Sequence, residues 1–414
     1  MVEIQHACAH DQGQVKQKFN TLTLSLFSIV LPSVWSFAAT GLVIGIYAGG
    51  MTVLIWGALL VGIVLSLLVT SFAEFGSTYP SVAGCLVLAT KFGGPEYGRI
   101  CGFMTGGIHA LASFITPACL IAAHSPFITA MAMVMHPEWQ PTKWQSFLIC
   151  QVVNIVTIFI CFNGSRFLGL MATAGAFVLF ALFFTCIGVI VGCVDPIAPS
   201  EAVWSKIQNI TGWPNGFAFL IGVSAALRLI YGFTRTGAFP LSGWLSEYDM
   251  KLQIPRNILW CIFGLNVVLG CLELGSSSAV VTLVGTAIVL FTIGHLPIFI
   301  GYILTGERYL GSKGWFNLLR SLSLGLAWFN AVSIIMQSVL LCLPPSNPIT
   351  AENMNWASAV AGTLVIFLLC SYWMYGKSTY QPSDDLIICG EEIVGEDGLE
   401  STLADKESKE KAAT

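Results

Sequence analysis

Residues 168–194 read LGLMATAGAFVLFALFFTCIGVIVGCV, 27 residues without one Asp, Glu, Lys or Arg. A helix of about 20 residues crosses the roughly 30 Å of hydrocarbon in a bilayer, so this stretch suffices for a span. Working outward, runs of the same kind recur at roughly 21–48, 51–75, 100–134, 144–163, 168–194, 214–233, 256–273, 277–304, 318–343 and 356–376. Hydrophobic residues make up 55% of the 414 positions and charged residues only 10%, with a mean hydropathy of +0.78. A water-soluble chain of this size cannot hide so much apolar surface, which excludes soluble enzymes and nucleic-acid-binding proteins as classes. Backbone in hydrocarbon must satisfy its own hydrogen bonds, so the expected fold is an all-α polytopic membrane protein of about ten helices. The third run exceeds one straight crossing, and His124 and Pro126 predict a tilt, a kink or an added surface helix.

The few charges orient the spans. With the N-terminus in the cytosol, Lys16, Lys18, Lys91, Arg99, Arg166, Arg235, Lys251, Arg256, Arg308, Lys313, Arg320 and Lys377 fall on one side. Arg228 snorkels to the same face and three tail lysines join it, leaving only Lys143 and Lys206 outside, sixteen against two. Both termini are therefore expected in the cytosol, and an even number of spans agrees. The net charge of −4 conceals this pattern, because ten acids and three lysines between Asp384 and Lys411 carry −7. The chain divides into a polar N-terminal tail (1–20), a transmembrane domain (21–376) and an acidic tail (377–414) expected to be disordered. No cleavable signal peptide is visible, so the first span is expected to direct insertion.

The 13 cysteines are scattered singly through apolar runs and read as small buried hydrophobes. No metal-ligand spacing and no cofactor motif is present, and neither group is expected. Asn209-Ile-Thr211 is an acceptor sequon on the outer side, close to the following span, whereas Asn163-Gly-Ser165 falls on the cytosolic side.

The first run contains Pro32-Ser33-Val34-Trp35-Ser36-Phe37-Ala38-Ala39-Thr40-Gly41. Proline, small residues and glycine at membrane depth can break a helix and turn free backbone groups toward a cavity. A half-helix N-terminus and unwound carbonyls would then suit a zwitterionic or cationic solute. The same composition equally makes a close helix-packing face.

The end of the second run, Ala73-Glu74-Phe75-Gly76-Ser77-Thr78-Tyr79-Pro80-Ser81-Val82-Ala83-Gly84, resembles a signature of amino acid permeases in the amino acid–polyamine–choline superfamily. The fungal choline and 4-aminobutyrate permease branch is the nearest in pattern. Thr234-Arg235-Thr236-Gly237-Ala238-Phe239-Pro240-Leu241-Ser242-Gly243-Trp244, with Ile254-Pro255-Arg256-Asn257, resembles that branch's cytosolic loop. Thr236 there replaces a usual acid and Gly243 a usual basic residue. Trp213-Pro214-Asn215-Gly216 looks like the start of the family's sixth helix. The resemblance implies a five-plus-five inverted-repeat transporter with substrate held between broken first and sixth helices. On it, Trp35, Ser36, Phe37, Ala38, Ala39, Thr40 and Gly41 form the first-helix half of a substrate site. Backbone donors would hold a carboxylate, and Trp35 or Phe37 a quaternary ammonium.

The departure from the family is equally specific. Relatives place three helices between the Trp213-Pro214 start and the Arg235 loop, yet only 21 residues separate Pro214 from Arg235 here. Phe217 to Val223 read as the start of the sixth helix, and Ser224 to Phe233 as the end of the eighth. Loss of two helices preserves the orientation of everything downstream and removes the second half of the site.

Of the polar residues inside spans, His109, His124 and His295 are proton-relay candidates or neutral imidazoles bonded within the bundle. Asn154, Asn266, Asn330 and Gln337 read as interhelical hydrogen-bond partners. Glu74 and Glu273 lie at membrane edges, where a solvated end competes with a functional role. The expected function is secondary active transport of an amino acid or choline-like amine, with alternating access and a coupling proton, in a fungal plasma membrane. Its partners are then that small molecule, the proton and the lipid bilayer, with no nucleic acid. The alternative is a transport-inactive or regulatory paralogue acting as receptor or scaffold. An enzyme would need His, Asp, Ser or Cys clustered at one interface, and the sequence offers none.

Overall fold

Apolar runs become helices throughout the computed structural model, which describes residue 26 and residues 34–79, 81, 84–164, 168–194, 199–230, 248–249, 254–275, 277–309, 314–344, 346–350 and 354–380. The N-terminal segment 1–20, the loop 234–244 and the acidic tail from 381 onward lie outside the described residues. In chain order the helices are α1 (Val34–Thr78), α2 (Gly84–Phe92), α3 (Gly94–Met135), α4 (Lys143–Gly164), α5 (Leu168–Cys193), α6 (Ser200–Trp204) and α7 (Asn215–Ile230). A two-residue antiparallel ladder, β1 (Tyr248–Asp249) with β2 (Ile254–Pro255), precedes α8 (Arg256–Gly270), α9 (Leu272–Gly275), α10 (Ser277–Gly294) and α11 (Leu296–Thr305). After α12 (Arg320–Leu341), α13 (Ala357–Ser371) runs through a π-turn into α14 (Lys377–Thr379).

Seven of the described helices are long and apolar enough to cross a membrane. The shorter α7 and α8 and the first arm of α1 fall at the other three predicted spans. Fully apolar side chains such as Phe159, Phe177 and Val191 stand 67%, 70% and 74% exposed. Their solvent is lipid, and the chain is a multi-pass membrane protein.

Within α1 the chain reverses. Gly49 and Gly50 leave helical geometry, and Gly50 adopts φ 73°, ψ −158°, a region open almost only to glycine. Past that turn Leu54 packs over Gly45, which a continuous helix would hold far apart. The loop of residues 199–213 closes over the turn: Gln208 N–H donates to Gly49 O (3.1 Å) and Ile210 N–H to Tyr47 O (3.0 Å). Thr52 Oγ1 donates to Lys206 O (3.1 Å) and Trp56 Nε1 to Trp204 O (3.1 Å).

The third predicted span is one unbroken helix of 42 residues, roughly 63 Å long at 1.5 Å per residue, with Pro117 and Pro126 inside it. It starts at Gly94, because Gly93 and Gly94 (φ 66°) fold α2 back along α3 and Pro95 suits a first turn. The predicted span 277–304 is two helices, α10 and α11, with His295 between them. Pro297 has no N–H to give and its ring crowds the preceding turn, and here the first helix stops at Gly294. The core has two clusters, one around Leu290 and Ile108 where α3, α10 and α13 meet, the other around Phe75, Phe92, Phe299 and Tyr302 where α1, α2, α11 and α12 meet.

Candidate functional site

Trp35 to Gly41 lie in helical backbone, since α1 runs without interruption from Val34 to the Gly49 turn. Their side chains, and Pro32 and Ser33 altogether, lie outside the described residues. The helix packed along this hairpin is α7, which begins at the Trp213-Pro214 motif. Gly222 meets Ala48 and Val53, where any Cβ would collide with the valine. α7 is continuous across Val223 and Ser224, the junction at which the sequence departs from the family pattern.

Glu74 is not a solvated membrane-edge group: it is 1% exposed. Its Oε1 accepts Leu318 N–H (3.1 Å) and its Oε2 accepts the Ser323 hydroxyl (2.5 Å). Ser323 Oγ also contacts Tyr302 Oη (2.9 Å), so the carboxylate anchors a polar network. One turn on, Ser77 Oγ donates to Phe316 O (2.8 Å). One turn back, Asn330 Nδ2 donates to Ser71 Oγ (2.9 Å). Ser323, Asn330 and Gln337 recur every seven residues on α12, which places them on one buried stripe facing α1. Asn266 Nδ2 donates to Asn154 Oδ1 (3.2 Å) between α8 and α4, an interhelical pair of the kind the sequence predicts.

Of the three intramembrane histidines, the structure brings two together. His109 on α3 and His295 at the α10–α11 break are each 1% exposed, with ring nitrogens Nε2 3.4 Å apart. His124 is elsewhere, exposed, its Nδ1 on Leu120 O at 2.5 Å. His109 Nδ1 lies 2.8 Å from Thr105 O and His295 Nδ1 2.6 Å from Phe291 O. Gly294 makes room for the pair, since a Cβ there would lie 2.6 Å from His109 Cε1. Phe72 and Phe291 flank the rings edge-on at 5.2 and 5.9 Å. Cys85 of α2 completes the group: its sulfur and one nitrogen from each ring lie within 4.8 Å of one another. Sequence reasoning passes over Cys85, which has no histidine nearby in the chain. The glycine pair that folds α2 onto α3 is the one local signal that could find it.

Just outside the spans, burial raises the phenol pKa of Tyr79 and of Tyr380, opposed at the first by the charge of Lys91 and at the second by the nearby Thr90 side chain. Arg99 Nε donates to Tyr380 O (2.6 Å), and the Tyr380 ring packs edge-on to Phe103 at 5.6 Å.

The amino acid permease family matches residues 215–368. The choline transporter of Saccharomyces cerevisiae is 26% identical over 209 residues, 49% of this chain and 37% of that protein. A swainsonine transporter of Arthroderma benhamiae is 27% identical over 221 residues, 53% of this chain and 43% of its own. An uncharacterized amino-acid permease of Schizosaccharomyces pombe is 20% identical over 481 residues, covering 88% of this chain and 83% of that one. In the first two of these matches the chain spans less than half the relative's length. No solved structure matches it.

Proposed function

We propose that the chain, whose residues 215–368 match the amino acid permease family and which is similar to a fungal choline transporter and a fungal amino-acid permease, is a secondary transporter of an amino acid or a choline-like amine. The observation that carries this reading is the packing of α7 along the α1 hairpin, which sets the family's first and sixth helices side by side. On the inverted-repeat plan, Trp35 to Gly41 line one side of the substrate site and offer aromatic faces to an ammonium. Alternating access and a coupling proton complete the cycle, in a plasma membrane with both termini cytosolic. That reading, rather than an enzyme, fits a chain whose relatives carry transporter names.

A second reading rests on the fused α7. The alignment to the fission-yeast permease spans 481 positions, more than the 414 residues of this chain, so that relative carries segments absent here. A transport-inactive paralogue acting as a membrane receptor or scaffold would tolerate such a loss. Purified protein in proteoliposomes, offered labelled amino acids and choline with and without an inward proton gradient, separates the two. Saturable uptake of one class, stimulated by the gradient, is expected. Folded, monodisperse protein without saturable uptake across the panel sinks the transporter reading and leaves the second.

A further inference from the structure

We propose that Cys85, His109 and His295 form a binding site for one divalent transition-metal ion of the zinc class. A carbonyl oxygen only accepts, so the short contacts to Thr105 O (2.8 Å) and Phe291 O (2.6 Å) require a hydrogen on Nδ1 of each ring. At the helix break this requirement is firm. His295 N–H has moved to Thr292 O (3.3 Å), which releases Phe291 O from its usual i+4 partner to accept the imidazole. A neutral imidazole carries one N–H, so both Nε2 atoms present lone pairs to each other across 3.4 Å. A hydrogen bond between them would make one ring abandon its carbonyl or become a buried imidazolium. Two lone pairs converging in an apolar interior call for an electrophile between them.

The dimensions suit a metal ion. Two Zn–N bonds of about 2.0–2.1 Å at a tetrahedral angle hold their nitrogens roughly 3.4 Å apart. A hydrogen bond between two ring nitrogens is expected nearer 2.9 Å. Cys85 adds a thiolate, the ligand that separates zinc-class ions from magnesium and calcium. Histidines that bind metals donate their other N–H to an outer acceptor, commonly a backbone carbonyl, and both rings here are held in that way. The two imidazoles are buried and Cys85 is half-buried. Binding exchanges the Cys85 thiol proton, released to solvent, for the metal–sulfur bond. Three protein ligands leave the fourth position open.

The test uses the full-length protein in detergent, freed of metal by chelator dialysis, with Co2+ as probe and Zn2+ as competitor. One Co2+ per chain is expected, with the visible bands of tetrahedral cobalt, a sulfur-to-cobalt charge-transfer band and displacement of both by Zn2+. Cys85→Ser should abolish the charge-transfer band and weaken Co2+ binding by about tenfold or more. His109→Gln with His295→Gln should abolish stoichiometric binding, whereas His124→Gln should leave it intact. Circular dichroism and thermal unfolding establish that each variant is folded, and Cys85→Ser decides the matter if the histidine pair does not fold. Folded wild-type protein that takes up no metal, or a charge-transfer band that survives Cys85→Ser, overturns the proposal. The first outcome would leave the two nitrogens to a shared proton.

Discussion

With both Glu74 oxygens occupied by donors, truncating that side chain strands Leu318 N–H and the Ser323 hydroxyl in a buried setting. Glu74→Ala should therefore lower stability by about 1–3 kcal/mol. Glu74→Gln should lose much less, because an amide oxygen can still accept Leu318 N–H while its nitrogen donates to Ser323 Oγ. Thermal unfolding in detergent compares them, and equal losses would refute this account of the network. Asn209 poses a second residue-level question. Its Nδ2 donates to Trp213 O (2.5 Å) and to Asn215 Oδ1 (3.1 Å), while its Oδ1 accepts from Thr211 N (3.0 Å) and Thr211 Oγ1 (2.7 Å). The nitrogen a glycan would occupy already holds the turn before α7. We expect no mobility shift when the protein from a eukaryotic host is treated with an endoglycosidase; a shift would show that the turn forms only in unmodified chains.

At the scale of elements, the α1 turn is the most exacting backbone feature. Gly50→Ala should cost about 1–3 kcal/mol, since its φ 73°, ψ −158° conformation is almost closed to residues with a Cβ. The added methyl would also lie 3.3 Å from Gln208 Cβ in the loop above. A Tm unchanged by the substitution would exclude that strain. Hydropathy makes such elements legible: the predicted 144–163, 168–194 and 318–343 appear as Lys143–Gly164, Leu168–Cys193 and Arg320–Leu341. It does not reveal α2, whose nine residues are too few to span a bilayer. Nor does it divide 277–304, since Pro297 hardly changes a hydropathy sum while removing a helix hydrogen bond. The candidate metal site was illegible for a related reason. His109 and His295 are 186 positions apart, and only packing of α3 on the α10–α11 break brings them together. Glu74 was misjudged because position along a span says nothing of what a neighbouring loop lays over its end.

For the whole molecule, the one-sided basic residues and the lipid-facing periphery belong together. Among the described residues of α5, Ala176 alone contributes to the buried apolar core, while Phe177, Phe184 and Val191 face outward. On the orientation proposed above, tags fused at either end of the chain should resist protease in intact cells and be cut after permeabilisation. The loop of residues 136–142, just before Lys143, should be accessible from outside. Cleavage of either tag in intact cells would invert or break the topology. The family match covers residues 215–368, from the start of α7 to α13.

The second arm of α1, residues 51–78, is fastened at both extremities and along its middle. The loop of residues 199–213 grips its outer end, Asn330 its centre, and Leu318, Ser323 and Phe316 its inner end. A rod pinned at two ends can spin about its length but cannot swing. On the alternating access proposed above, that arm is the stationary spindle, and the lever arms are the helices it is not tied to.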